Sequence, residues 1–541
     1  MTFIDHISSD LLGPWSLQSV AVAIAALGLL MYLWIFIDFQ KYPDVPTLRL
    51  SSKPWIWGAR EDAKLWVTDA LSVLLTGYER YSSKGQNYLV TRPEGKLMVV
   101  APRFIEEVRR APETHVQNLP ANNELTQLRY TLHPKMTYNQ FHHDIPLRKS
   151  LTESLGPKLP DIVEEAKLTL NARSNSLVLT EWVSYKMYPL GFQIVTRTAN
   201  RLLFGIELTR NAEFEQLSIN YAGILFGGAE KIRSYPSFLK PLIMWYATDI
   251  HRTQREASKH LAPVIEKRIQ EEDKYVAAGS HDEWKKRKPE DVIQWVLDVA
   301  PPEDRRVDHL VYRMLHINVG AIHTSSISFL ETIYFLAIYP QYHQDLRDEI
   351  ESVFKQEKAW TKQALTNLKR LDSFITEALR LCPFTALKLQ RCTVQDWKMS
   401  DGTVIPKGVH FWCNYFAMSQ DDAFWENAKT FDPWRMYRLR QQPGQENQHQ
   451  WVMTTSTNLT FGHGKHACPG RFFAANEIKT LLALIIMNYD IRCRNLQGGL
   501  EAIVRGDWTN QSKDPIKYPV MDFRYREDDI PKDIRYLFTE I

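Results

Sequence analysis

The chain has 541 residues, with 66 Lys and Arg against 63 Asp and Glu, a formal net charge of +3 that is too small to support nucleic-acid binding. Hydrophobic residues make up 44% and charged residues 24%, an ordinary composition for one large folded domain or several smaller ones, and no internal repeat is visible. Five cysteines, at 382, 392, 413, 468 and 493, are odd in number and lack framework spacing, which points to a reducing compartment rather than a secreted disulfide scaffold.

Val20 to Ile37 is an uncharged run of 18 residues. As a helix it would be about 27 Å long, close to the hydrocarbon thickness of a bilayer. Trp15 precedes it, and Tyr32 and Trp34 lie near its far end, where aromatic rings favour the interface. A signal peptide needs a basic leading region, but the N-terminus carries Asp5 and Asp10 and no Lys or Arg. The first flanking basic residues, Lys41 and Arg49, follow the run. The expectation is a retained single-pass anchor over 1–41 with the rest of the chain, 42–541, in the cytosol; a buried core helix is the bland alternative. Lys41 to Pro46, with Pro54 soon after, reads as a stiff connector.

From about 60 to 300 the pattern is mainly amphipathic helix, including Lys64 to Tyr81, with a short strand over Leu97 to Val100. Glu283 to Asp291 reads as a solvated charged loop. Asp308 to Tyr339 is the longest helical pattern, roughly 32 residues ended by Pro340, and apolar on most faces, so it is buried. Its middle breaks that pattern with Gly320, His323, Thr324, Ser325, Ser326 and Ser328. Mid-helix Gly costs about 1 kcal/mol relative to Ala and buried hydroxyls need partners, so the breach marks a candidate functional site. His323 suits proton relay near neutral pH, or is a hydrogen-bonded core histidine. Leu368 to Leu381 is a further helix, with Glu377 and Arg380 on one face among apolar neighbours. Asp401 to Cys413 reads as a hairpin with Ile405 to Gly408 as its turn. Arg438 to Gln450 is a polar surface meander.

Phe461 to Gly470, FGHGKHACPG, places one cysteine among glycines at 462, 464 and 470, just before an apolar helical run from Arg471 to Asn488. Pro469 suits a first helical position, which makes Cys468 a candidate N-cap. The free N–H groups of a helix start lower a nearby thiol's pKa from about 8.5, favouring a thiolate that serves as nucleophile or metal ligand. A lone cysteine here is also compatible with a small buried hydrophobe. Cys468 with His463 and His466 would suggest zinc, but no second Cys/His pair follows. From about Ile491 the pattern is short strands and loops, with a tip near Trp508 to Gln511.

Phe, two residues, Gly, one residue, a basic residue, one residue, Cys, one residue, Gly: this spacing resembles the haem-ligand loop of the cytochromes P-450. His466 stands where the family usually has Arg. Glu377-x-x-Arg380, 91 residues before Cys468, with Phe431-Asp-Pro-Trp-Arg435 between, resembles the family's structural ion cluster. Gly320 to Ser325 resembles its oxygen-binding groove, and the proline connector its microsomal hinge. The resemblance implies a mainly α fold with small β-sheets and an N-terminal transmembrane helix. It also implies haem b with Cys468 as axial iron ligand through a thiolate that favours O–O cleavage. Phe461, His466, Arg391 and, less directly, Arg148 would contact the haem; Asp144 stands where a propionate-binding Trp is common. Thr324 would help deliver protons, with His323 in place of the usual acid. Phe384 to Gln390 would pass over the haem, and the 508–511 tip would close the substrate pocket.

The implied activity is monooxygenation: one oxygen atom of O2 enters an apolar small molecule, with electrons from a membrane-bound NADPH-cytochrome P-450 reductase. The implied location is the endoplasmic reticulum membrane. Lys465 and Arg471 are candidate reductase contacts. Ala321 to Thr324 and Lys231 to Pro241 look like fungal members similar to ent-kaurene oxidase, which implies a bulky terpenoid-like substrate in secondary metabolism. Two other functions stay open: a reductase-independent haem-thiolate isomerase or dehydratase, and a non-catalytic haem-binding protein.

Overall fold

The computed structural model describes residues 40–134, 143–174, 181–526 and 529–539, with a few positions between 19 and 28. The expected anchor at 20–37 lies mostly outside the described residues. One described helix, Val307–Ile338, is long and apolar enough to cross a membrane, but 72% of its most apolar stretch is buried inside the protein. It is the central helix of the fold, and its length lets it touch most of the other layers. Met187–Leu203 and Arg471–Asn488 pack on it, and Ile250–Ala277 and Lys369–Leu381 flank its two ends. One buried cluster, including Phe192, Phe329, Leu330, Phe335, Phe374 and Leu482, joins the central helix to 187–203, 369–381 and 471–488, and a second, with Leu261, Ile265, Met314 and Leu315, joins it to 250–277.

Among the described residues twelve short strands form four small sheets. They are β1 Tyr88–Arg92, β2 Gly95–Val100, β3 Val116–Gln117, β4 Val183–Lys186, β5 Leu387–Thr393, β6 Trp397–Lys398, β7 Val404–Ile405, β8 His410–Asn414, β9 Tyr489–Cys493, β10 Asp507–Thr509, β11 Ser512–Asp514 and β12 Val520–Tyr525. The largest sheet has the order β1-β2-β8-β5-β3, with β2 and β8 parallel. The mainly α architecture with small sheets agrees with the sequence pattern.

Three local readings change. The charged stretch at 283–291 is not a loop throughout: His281–Arg287 is a helix, because Trp284 is buried and its acidic first and basic last turns suit the helix dipole. Asp291, at the end of that stretch, is buried against Arg268 and caps the helix Val292–Val299. The segment 401–413 is not one hairpin. Its tight turn is at Asp401-Gly402, where Gly402 has φ +92° and Asp401 accepts from the Thr403 N–H, so β6 pairs with β7. Ile405 to Gly408 instead leads into β8, which pairs with β5 and β2. Finally, the helix expected from Lys64 starts at Trp55 and bends at Asp69.

The crossing of Met187–Leu203 over the central helix depends on Gly191. A Cβ built there would lie 2.6 Å from Leu330 Cδ2 and 3.4 Å from Phe329, both fully buried. Gly191→Ala is expected to lower stability by about 1–3 kcal/mol through overpacking. Gly156→Ala, where a Cβ meets nothing within 4 Å, is expected to be neutral or to stabilise by up to about 1 kcal/mol. Thermal unfolding of the two variants checks the contrast.

Candidate active site

The cysteine loop is held by its own backbone. Gly462 and Gly464 have φ of +73° and +75°, a region that favours glycine, and the Cys468 N–H donates to the Phe461 carbonyl at 2.8 Å. Arg471 Nη1 donates to the Cys468 carbonyl at 3.0 Å. Cys468 is not the N-cap. The helix runs from Arg471 to Asn488 and Gly470 holds the cap position; Cys468 and Pro469 precede it. The Gly470 N–H still favours a thiolate at Cys468. Burial pushes the thiol up, against that N–H and the positive charges of Arg471, Lys388 and Arg148.

Both loop histidines are engaged elsewhere. His463 Nε2 lies 2.8 Å from Glu106 Oε1 and its Nδ1 3.1 Å from the Thr454 hydroxyl, while His466 Nε2 lies 2.5 Å from Glu113 Oε1. Among the described residues no three His, Cys, Asp or Glu side chains gather as a metal site, so the zinc reading has no geometry here. Burial holds the His466 imidazole low, with Glu113 opposing and Arg391 adding to the shift. Phe461 packs at 5.1 Å on the ring of the buried Trp451.

Arg391 is buried on β5, and its Nη1 donates to the neighbouring Gln390 carbonyl at 2.8 Å. Burial pushes its guanidinium down to about 10. Lys388, on the same strand, is also buried; burial pushes its ammonium down to about 7, with the Cys468 sulfur the opposing charge. Arg148 ends a short helix, Asp144–Arg148, and is exposed.

The central helix supplies the opposite wall. It is α-helical over Val307–Asn318 and Thr324–Ile338, with a π turn at Val319–His323 between them. Such a turn inserts one residue and is frequent at functional sites. The polar residues there bond back along the helix: Thr324 Oγ1 donates to Gly320 O at 2.8 Å, Ser326 to Ile322 O at 2.8 Å and Ser328 to Thr324 O at 2.9 Å. A Cβ at Gly320 would meet nothing within 4 Å, so the helix is open there. His323 lies at ring distances of 5.6 Å from Phe192 and 6.5 Å from Phe226, and its buried Nδ1 has no hydrogen-bond partner among the described residues. Burial lowers its pKa, and Asp514 and Lys517 are its charged neighbours.

Glu377, Arg380 and Arg435 meet in one buried cluster. Glu377 accepts from Arg380 Nε at 2.8 Å and Nη2 at 2.7 Å, and from Arg435 Nε at 3.1 Å. Arg380 also donates to the Ser419 carbonyl, and Arg435 to Glu426 O at 2.5 Å. The helix at 369–381 is thereby tied to the segment before the cysteine loop. The tip between β10 and β11 is docked on the stretch after that helix: the Ala386 N–H and Thr385 Oγ1 both donate to Gln511 O, at 2.8 and 3.0 Å. Asn510 reaches Glu230 at 2.9 Å.

A model of the cytochrome P-450 family matches residues 88–502. The chain is a cytochrome P-450. It is 34% identical over 426 residues to cytochrome P-450 monooxygenase 71 of Postia placenta, covering 78% of this chain and 83% of that one. It is 32% identical over 503 residues to monooxygenase AN1598 of Emericella nidulans, covering 88% of each. Against monooxygenase olcJ of Penicillium canescens the identity is 32% over 450 residues, covering 82% and 81%. The enzyme is therefore a monooxygenase, and the cofactor of its family is haem b. The residues present fit that group. A thiol faces backbone N–H and positive charge, and Arg391 is a buried guanidinium with no carboxylate hydrogen bond among the described residues, as a propionate requires.

Three residues of this region were missed by sequence reading. Glu113 holds His466. Lys388 differs from any polar strand residue only by its burial. Glu477, one face of the helix after Cys468, accepts from Thr198 Oγ1 at 2.7 Å; burial pushes it up to about 8, so it is neutral at pH 7, and the Ser325 hydroxyl, next to Thr324, lowers it in part.

Glu377→Ala leaves Arg380 buried with no carboxylate in contact among the described residues. It is expected to cost about 3–5 kcal/mol. The check is thermal unfolding of the haem-loaded protein, with a matching fall in the yield of haem-loaded chain.

Proposed function

We propose that this cytochrome P-450 inserts one oxygen atom of O2 into a C–H bond of a bulky apolar, terpenoid-like secondary metabolite in a fungal biosynthetic pathway, using NADPH-derived electrons. The observation that carries the reading is the Cys468 sulfur, met by the Gly470 N–H and the charges of Arg471, Lys388 and Arg148. Bound haem supplies the oxygen-activating and C–H-oxidising chemistry. The chain supplies the rest. Cys468 would ligate the iron, Phe461 packs on Trp451 beside the ligand loop, and Arg391, His466 and Arg148 would meet the propionates.

Thr324 holds a hydroxyl proton at the open π turn, bonded to Gly320 O. His323 stands one residue before it, on the side of Phe192 and Phe226, as the candidate proton relay, with Asp514 and Lys517 as its charged neighbours. Glu377, Arg380 and Arg435 act on structure alone. The terpenoid-like class rests on the texture of Ala321 to Thr324 and of Lys231 to Pro241. The fungal relatives are named only as monooxygenases.

We place residues 1–41 as a single-pass anchor in the endoplasmic reticulum membrane and 42–541 as the cytosolic catalytic domain. Support comes from an apolar surface around the helix Lys240–Ala247, which has no buried residue. Phe238, Trp245 and Tyr246 are 65%, 51% and 79% exposed. Exposed apolar groups with Trp and Tyr among them suit a bilayer surface. Lys465, 74% exposed, and Arg471 are the basic groups offered to an acidic reductase.

Expression in a host that supplies the reductase tests the reading. The reduced wild type with carbon monoxide is expected to show the red-shifted band of thiolate-bound haem iron, and Cys468→Ala to lose it. Thr324→Ala is expected to keep the band and NADPH oxidation while product formation falls by at least about tenfold, since a positioned proton donor contributes about 10²–10⁴. Turnover without NADPH would instead favour an isomerase or dehydratase.

A further inference from the structure

Lys388 sits on a bulge. The three steps from Lys388 to Arg391 on β5 face only two on β8, from Cys413 to Phe411, and Leu389 between them has φ +56°. A left-handed non-glycine residue is strained, and such bulges re-aim side chains near functional sites. Here the result is that Lys388 and Arg391 are both turned inward, 5% and 4% exposed. The Lys388 ammonium ends beside a small void shared by Ile327 and Ser328 of the central helix, Phe384, and Thr460 just before the cysteine loop. Its Nζ donates to Thr460 O at 3.4 Å and lies 3.7 Å from the centre of the Phe384 ring.

Among the described residues no carboxylate pairs with it. The Cys468 sulfur acts on it only through space. The contrast is Lys513, equally buried, which reaches Glu331 Oε1 at 2.6 Å. Burying an ammonium without a counter-ion is expensive, and one weak carbonyl bond and an aromatic face offset little of that. A compact point charge with three donors, walled mostly by apolar side chains, matches an anionic group carried on an apolar body.

We propose that Lys388 is the counter-charge for a carboxylate seated between the central helix and the cysteine loop. The carboxylate comes either from an apolar acid that the enzyme binds as substrate or from a haem propionate. The proposal rests on the haem-thiolate reading above.

The test compares full-length, haem-loaded wild type, Lys388→Met and Lys388→Arg, after the wild type has shown its thiolate carbonyl band. Binding of abietic acid and of methyl abietate is followed by the shift of the haem absorption, and haem transfer to excess apomyoglobin is timed. With a substrate carboxylate, the wild type binds the acid about ten- to a hundredfold more tightly than the ester. Lys388→Met then loses that preference, Lys388→Arg keeps it, and haem transfer is unchanged. With a propionate, Lys388→Met releases haem about tenfold faster or more, Lys388→Arg restores retention, and the acid has no advantage in the wild type.

If Lys388→Met leaves both the acid-to-ester ratio and the transfer rate at wild-type values, the assignment is wrong. It is also wrong if both variants fail to hold haem, because charge is then not what the side chain contributes. Absence of the carbonyl band from the wild type would remove the haem-thiolate reading itself, so the two failures are told apart.

Discussion

A sulfur buried in protein carries negative charge only where N–H dipoles and cations meet it. Burial alone pushes the Cys468 thiol up, and the fold around it opposes that push. Two left-handed glycines bend the loop so that the Cys468 N–H closes on Phe461 and the sulfur stays free of the helix cap. The helix that follows brings Arg471, β5 brings Lys388, and the short helix at 144–148 brings Arg148. Three distant parts of the chain are thus arranged around one atom. Held by Cys468 as proposed above, iron would complete the arrangement, since coordination removes a thiol proton outright.

The second constraint is the other wall. A straight α-helix through 307–338 would be a plain core helix. The π turn at 319–323 breaks its repeat just before Thr324, and Gly320 keeps the surface open there. Three of the hydroxyls that look out of place in an apolar helix, those of Thr324, Ser326 and Ser328, are satisfied four residues back. They cost the core little, and Thr324 and Ser328, four residues apart, share one face of the helix while Ser326 is turned into the core. Glu477 continues that logic: as a neutral acid at pH 7 it bonds Thr198 without placing a charge beside the helix.

What sequence reading reached was whatever is local. The cysteine loop is a run of ten residues, and its glycines are written in order. The pair Glu377 and Arg380 lies on one helical turn, and the central helix shows as an apolar run of the right length. What it did not reach depends on pairing across the chain. Nothing in the run 319–323 marks a π turn, because one inserted residue leaves composition unchanged. Pro469 pointed to a helix start at Cys468, yet Gly470 takes the cap. The charged stretch after 281 reads as loop until Trp284 is seen to be buried. Glu113 meets His466 across 353 residues, a contact no periodicity encodes.

Buried charge is handled in three ways inside this one protein. Glu377 is matched by two guanidiniums, and Lys513 by Glu331. Glu477 is held neutral by its surroundings. Lys388 has no carboxylate partner among the described residues: its neighbours are a carbonyl, an aromatic ring and a sulfur beyond contact, and burial pushes its ammonium down to about 7. A methionine would fill the same volume without the desolvation cost. The β5 bulge goes further, straining Leu389 to aim the side chain inward when a regular strand would have avoided the bulge. A cost carried at two adjacent residues, in the backbone at Leu389 and in solvation at Lys388, marks the position where the proposed anion completes the site.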